Sequence, residues 1–283
     1  MSGRSCTEVT DALSGPQVRR LLSQGELSLF GQIPSASNLT LVCEATLGEQ
    51  STRCVYKPVR GETPLWDFPD GTLAGREVAA RLIDAALGWD LIPETVLRAE
   101  GPPGAELGPG MLQLWIDQPE APAGREPVEI VPADDVPEGY VPILRAHDDD
   151  GSVVALAHAT DERLHRLAVL DAVLNNADRK GGHILVDADG RLFGIDHGLT
   201  LHTEPKLRTI LWGWAGDPAN ESVRADLAAL GERLSPGSDL TGELCELVSE
   251  EELAALRRRV AALADGGALP RPPHQRAIPW PPF

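Results

Sequence analysis

Lysine is scarce in this chain: its 283 residues carry three lysines, Lys57, Lys180 and Lys206, against 22 arginines. A sequence that chooses arginine this consistently keeps lysine at few places, so those places are worth tracing. Cysteine is scarce too. Cys6, Cys43, Cys54 and Cys245 include no CxxC pair, so their spacing gives neither a zinc pattern nor a disulfide framework. Long apolar runs are missing, since no stretch approaches eighteen consecutive apolar residues, and residues 1–10 hold neither a basic nor an apolar leader segment. A membrane span and a signal peptide are therefore unsupported, and a cytoplasmic protein is expected. Positive charge is short overall. The 43 acidic and 25 basic residues leave a formal charge of −18, which opposes long-range attraction to nucleic acid or to an anionic bilayer.

What the sequence does hold is concentrated in one stretch, Asn175-Asn176-Ala177-Asp178-Arg179-Lys180-Gly181-Gly182-His183, followed by Asp196-His197-Gly198. An Asp-Arg pair after an amphipathic segment, a potential metal ligand five residues past the Asp, and a second Asp-x-Gly downstream reproduce the spacing of a phosphoryl-transfer loop and its metal-binding carboxylate. Lys57 lies upstream in the strand-like run Cys54-Val55-Tyr56-Lys57-Pro58, where such an enzyme places the lysine that pairs ATP phosphates. Alone, Lys57 reads as a solvated strand lysine, and Asp178 and Asp196 read as turn residues. Their order along the chain favours the chemical reading.

Apolar periodicity predicts a helix over residues 14–24, strands over 27–33, 39–45 and 52–58, a helix over 75–87, and strands over 92–97 and 111–116. Residues 117–160 are acidic, Pro-rich and read as an irregular connection or insertion. Beyond them, helical spacing returns over 161–176 and 222–234, and the capping box Ser249-x-x-Glu252 opens a helix to about residue 264. The Pro-rich stretch 270–283 is expected to lie extended on the surface.

With these residues in view, the chain resembles the phosphatidylinositol 3-/4-kinase family, closest in its motifs to the type II phosphatidylinositol 4-kinases, as a divergent member of bacterial type. Three blocks carry the likeness: Val55-Tyr56-Lys57-Pro58, Leu167-Ala168-Val169-Leu170-Asp171 through Asp178-Arg179, and Gly194-Ile195-Asp196-His197-Gly198-Leu199. Weaker echoes are the hinge-like Gly110-Met111-Leu112-Gln113-Leu114-Trp115-Ile116 and the aromatic Leu211-Trp212-Gly213-Trp214. The resemblance implies an α+β, bilobal, protein-kinase-like fold, with an N-terminal ATP-binding lobe over 1–116 and a mainly helical catalytic lobe over 117–283. It implies that Lys57 pairs ATP phosphates, that Glu77 orients Lys57, that Asp178 positions or deprotonates the acceptor hydroxyl, and that Asp196 holds Mg2+ or Mn2+. Gln113, Trp115 and Ile116 would meet the nucleotide, and Ser35 and Ser37 would cover its phosphates.

Two departures qualify the likeness. The family usually has Asn where this chain has His183, and imidazole suits transition metals better than magnesium, so His183 either ligates an ion such as manganese or leaves that position altered. The phosphate-covering loop, residues 31–38, has a single glycine. The expected activity is transfer of the γ-phosphate of ATP to a hydroxyl: an inositol lipid by resemblance, a soluble small molecule or a protein side chain on equal terms. A nucleotide-binding pseudokinase that regulates a protein partner, and an AMP transferase, remain the alternatives.

Overall fold

The computed structural model describes residues 13, 15–34, 36–104, 106–120, 124–273 and 276–283. Helix α1 (Gly15–Gln24) opens it and buries Val18, Leu21 and Leu22, one turn apart on one face. Strands β1 (Glu26–Gln32), β2 (Leu41–Leu47) and β3 (Gln50–Pro58) follow as an antiparallel meander, then helix α2 (Leu73–Leu87), β4 (Thr95–Arg98) and β5 (Gly110–Leu114). The five strands form one antiparallel sheet in the order β1-β2-β3-β5-β4. Its alternating inward residues, Leu41, Cys43 and Ala45 on β2 with Cys54 and Tyr56 on β3, build a small core against α1.

Strands β6 (Val128–Pro132), β7 (Tyr140–His147) and β8 (Val153–Ala159) form a second antiparallel sheet, ordered β6-β8-β7. This corrects the expectation of irregular chain over 117–160. The prolines that argued against strands sit where a sheet tolerates them: Pro132 ends the edge strand β6, and Pro142 lies at the register shift in the edge strand β7. The acidic residues gather in the turns, such as Asp148-Asp149-Asp150-Gly151, whose glycine takes φ +82°. The buried strand is β8, running Ala155-Leu156-Ala157-His158 through the middle.

Helix α3 (Glu162–Leu174) begins at Asp161, whose side chain accepts from the Arg163 N–H, and ends at Asn175 in the left-handed region at φ 55°. Strands β9 (Ile184–Val186) and β10 (Leu192–Gly194) form a short hairpin, and α4 (Glu221–Arg233), α5 (Asp239–Cys245) and α6 (Glu250–Ala264) complete the helical lobe. The capping box at Ser249 forms as its sequence predicts, with Ser249 and Glu252 each accepting the other's backbone N–H. The largest core runs from α2 through α3 into α4 and α6. Arg76 of α2 is buried within it, donating to the Thr200 carbonyl at 2.6 Å, pairing with Glu252 of α6 and lying over the Phe68 ring. The architecture is the expected bilobal α+β one. No helix among the described residues is long and apolar enough to cross a membrane.

The C-terminal stretch lies largely at the surface, as expected, but is tied down there: it buries Pro279, packs Ile278 against the main core, and offers the Ala277 carbonyl to both the Thr209 N–H and the Trp212 indole. Proline-rich sequence reads as exposed because it forms no ladder of its own. Here its carbonyls satisfy donors that the helical lobe leaves open.

Candidate active site

Period two along β3 points Tyr56 into the core and Lys57 to the opposite face, toward the helical lobe. The Lys57 ammonium meets Glu77 Oε1 at 2.7 Å and Asp196 Oδ1 at 2.9 Å. Burial alone would pull its pKa down, but the two carboxylates more than reverse this and hold it above the usual lysine range. Reciprocally, Lys57 keeps Asp196 well below the usual carboxylate range. Glu77 is fixed from its other oxygen, which accepts the His197 N–H at 2.9 Å. Helix α2, which carries Glu77, is held at its N-terminus by Glu62, whose carboxylate accepts the Leu73 and Ala74 N–H groups at 3.2 and 2.9 Å.

Asp178 sits in the loop after α3. Its N–H donates to the Asn176 side chain at 3.0 Å, and its carboxylate lies 3.5 Å from the Lys180 ammonium. Burial raises the Asp178 pKa, with Lys180 pulling the other way. The loop is scaffolded by Arg179, fully buried, which forks onto Asp171 at 2.9 to 3.2 Å, donates to the Ile195 carbonyl at 2.9 Å and reaches His197 Nε2 at 2.7 Å. Asp171 also accepts from Asn176 at 2.9 Å. Asp171, Asn175 and Asn176 thus hold the loop, as their sequence context suggests. Asn175 does so through the carbonyls of His202 and Glu204.

Two adjoining cavities meet at Lys57 and Asp196. The larger, about 360 Å³, is lined by Ser37, Val55, Gln113, Trp115, Ile116 and His183 among others. The smaller, about 170 Å³, is lined by Glu62, Glu77, Asp178, Leu65 and Leu199 among others. The structure therefore brings Lys57, Glu77, Asp178, His183 and Asp196 together, with Ser37, Gln113, Trp115 and Ile116 around the larger chamber. Ser35 lies outside the described residues. Asn38, not singled out from sequence, lines both cavities and accepts the Thr63 N–H at 2.8 Å, tying the phosphate-covering loop to the segment before α2.

His183 faces Asp196, Nε2 to Oδ2, at 3.3 Å. Burial pushes its pKa down to about 4, so the imidazole is neutral and keeps a lone pair at ordinary pH, and its Nδ1 is buried without a partner among the described residues. No group of three metal-capable side chains occurs among the described residues. A divalent cation here would draw two protein donors, Asp196 and His183, and complete its shell with phosphate oxygens and water, an arrangement common for cations held against nucleotides. The residues fit that requirement.

Of the three lysines, Lys57 spans the two cavities and Lys180 lies beside Asp178, while Lys206 lies outside both cavity linings, paired with Asp67 at 2.8 Å on the segment that contributes Leu65 to the smaller cavity. Trp212 and Trp214 are packing residues. Trp214 stacks on His158 of β8 at 4.7 Å, and the neighbouring Gly213 N–H donates to His158 Nε2 at 3.0 Å, which docks the second sheet on the helical lobe.

The family model described as phosphatidylinositol 3- and 4-kinase matches residues 155–227, the stretch that holds α3, the Asp178 loop and Asp196. Protein Rv2133c of Mycobacterium tuberculosis (strain ATCC 25618 / H37Rv) is 51% identical over 269 residues, covering 93% of this chain and 94% of that protein. Among solved structures, hydra Fam20 with sugar matches with a TM-score of 0.50 at 17% identity, over 91% of this chain and 89% of the other. The Helicobacter pylori proinflammatory kinase CtkA matches with a TM-score of 0.41 at 10% identity, over 87% and 93%.

Proposed function

The chain belongs to one family with Protein Rv2133c, a divergent phosphatidylinositol 3-/4-kinase-like family, and from that premise we propose that it transfers the γ-phosphoryl group of ATP to a hydroxyl acceptor. The observation that carries this reading is the double pairing of Lys57 with Glu77 and Asp196 at the junction of two cavities, one of which holds Asp178. A charge placed there neutralises phosphate oxygens as the transferred group develops its planar, loosely bonded transition state.

ATP occupies the larger chamber, with its base against Val55 and the Gln113 to Ile116 segment and its phosphates toward Lys57 and Ser37. The acceptor hydroxyl enters the smaller chamber, because Asp178 lines that chamber and not the larger one. Asp178 accepts the hydroxyl proton while the acceptor oxygen bonds to the γ-phosphorus. The bond from that phosphorus to the β–γ bridging oxygen breaks, and ADP leaves. The raised Asp178 pKa makes it a better proton acceptor than an exposed carboxylate. A magnesium or manganese ion, held by Asp196 and His183, supplies charge neutralisation on the phosphates when bound. The chamber of about 170 Å³ suits a single hydroxyl-bearing group, whether a small molecule, a protein side chain or a lipid headgroup.

Incubation with ATP and either metal, followed by mass spectrometry of candidate acceptors and of the protein itself, tests the proposal. A gain of phosphate supports it. A gain of AMP would replace it with nucleotidyl transfer, and binding without turnover would replace it with a pseudokinase.

A further inference from the structure

We propose that residues 277–283 form a strap that positions the catalytic loop, with Pro282 and Phe283 setting the geometry of Gly181 and, through it, of Asp178 and His183. This rests on the phosphotransferase reading for its catalytic consequence, though not for its structural one. The loop between the two site residues is Arg179-Lys180-Gly181-Gly182. Two consecutive glycines give this backbone the widest conformational range of any dipeptide, at the one place where a wrong dihedral would carry His183 away from Asp196.

The chain fixes this weak point from outside the loop. The Gly181 N–H donates to the Pro282 carbonyl at 2.7 Å, and a Cβ at position 181 would overlap the Phe283 ring, so the ring lies directly on the glycine. Further back, the Ala277 carbonyl accepts from Thr209 N–H at 3.1 Å and from the Trp212 indole at 3.0 Å. Residues 208–210 in turn pair with the loop, through the Arg179 N–H to the Arg208 carbonyl at 3.0 Å and the Ile210 N–H to the Arg179 carbonyl at 3.3 Å. The strap therefore grips both the loop and the segment that backs it. Pro279 is buried between these two grips, which anchors the stretch independently of the loop.

Distance along the chain explains why this contact matters. Gly181 lies three residues after Asp178 and two before His183, and the turn it starts is closed by the His183 N–H donating to the Lys180 carbonyl at 3.2 Å. One hydrogen bond and one ring on Gly181 thus constrain both flanks. Phe283 touches neither cavity, so it acts as a positioning residue rather than a catalytic one.

The test compares the wild type with Phe283→Ala, Phe283→Leu and a deletion of residues 277–283. Amide hydrogen exchange is followed across the protein by mass spectrometry, and ADP release from ATP with manganese is followed over a range of ATP concentrations. Phe283→Ala should raise exchange in the loop peptide around residues 179–183 several-fold while peptides from α4 and α6 stay unchanged. It should lower kcat about tenfold with KM for ATP within about twofold, because the nucleotide chamber keeps its walls while the loop loses alignment. Phe283→Leu should recover most of both. Unchanged loop exchange in Phe283→Ala overturns the proposal, as does exchange raised evenly over the helical lobe, which would make the stretch a general stabiliser. If the deletion does not fold, the single variants decide. If the wild type releases no ADP with the candidate acceptors present as well as absent, the phosphotransferase reading fails and the exchange measurement still decides the strap.

Discussion

Lys57 pairs with two carboxylates, Glu77 and Asp196, and in the proposed reaction Glu77 would hold it in place while Asp196 would share it with the phosphates and cation. Replacing it by Met keeps the stem that packs along β3 and removes the charge. Lys57→Met should therefore lower ATP turnover about a hundredfold or more, because the loss falls on transition-state charge, and should also lower the thermal midpoint by several degrees, because the buried Glu77 carboxylate loses its counter-charge. Turnover and melting measured on the same preparation check this, and undiminished turnover in a folded variant would remove Lys57 from the chemistry. His183 makes a different kind of test. Sequence alone ties its metal affinity to the ordinary histidine range, but burial holds its pKa near 4, so the neutral, ligating form persists well below that range. Metal-dependent stabilisation by ATP should stay flat from about pH 8 to about pH 5 and fall only as the pH approaches 4, where the proton displaces the cation. His183→Asn should shift preference from manganese toward magnesium, since an oxygen donor replaces nitrogen. Equal metal preference in the two proteins would leave His183 a structural histidine.

At the scale of elements, helix α2 is the lever of the site, because it carries Glu77 and ends in a turn organised by Asp84. The Asp84 carboxylate accepts the Leu91 and Ile92 N–H groups at 3.2 and 2.9 Å, yet burial raises its pKa to about 6. The unfolded chain protonates this group near its usual value of about 4, so between about pH 4 and pH 6 the folded state binds more protons. Stability should therefore fall as pH rises through that window, by on the order of 2 kcal/mol from this group, and level off above it. Asp84→Asn should lose that slope, which denaturant titrations at several pH values would reveal. The elements also mark where sequence reading works and where it stops. Helices α3 and α6 were legible because Leu164, Leu167, Leu170 and Val173 recur at helical spacing and Ser249 opens a capping box. The gathering of Lys57, Asp178 and Asp196 at one cavity was legible because their types and order match what a phosphoryl-transfer site would need. Strands β6 to β8 were not, since the prolines of β6 and β7 sit at an edge and a bulge that only the paired sheet defines. Asn38 and the Gly181 contact with Phe283 were hidden for a related reason: both are tertiary pairings between segments far apart in sequence, with no local signature.

For the whole molecule, Arg76 is the joint between α2 and the helical lobe. Its guanidinium is buried and pairs with Glu252, so removing it strands a carboxylate in the interior. Arg76→Met should cost about 3–5 kcal/mol and lower the thermal midpoint by roughly 10 °C. The double variant Arg76→Met with Glu252→Gln should recover most of the loss, because a neutral amide of the same shape carries no desolvated charge and still accepts the Ser249 N–H. Thermal melts of the single and double variants separate a loss of pairing from a loss of packing, and failure to recover would assign the cost to the Thr200 carbonyl and the Phe68 ring instead. The scarcity of lysine, with Lys57 in the cleft, also gives the molecule a built-in footprint. A reagent that acylates primary amines finds three side-chain targets in the sequence, of which Lys57 lines both cavities, so protection of Lys57, read by peptide mass, reports whatever occupies the cleft, with Lys206 as an internal reference outside the cavity linings.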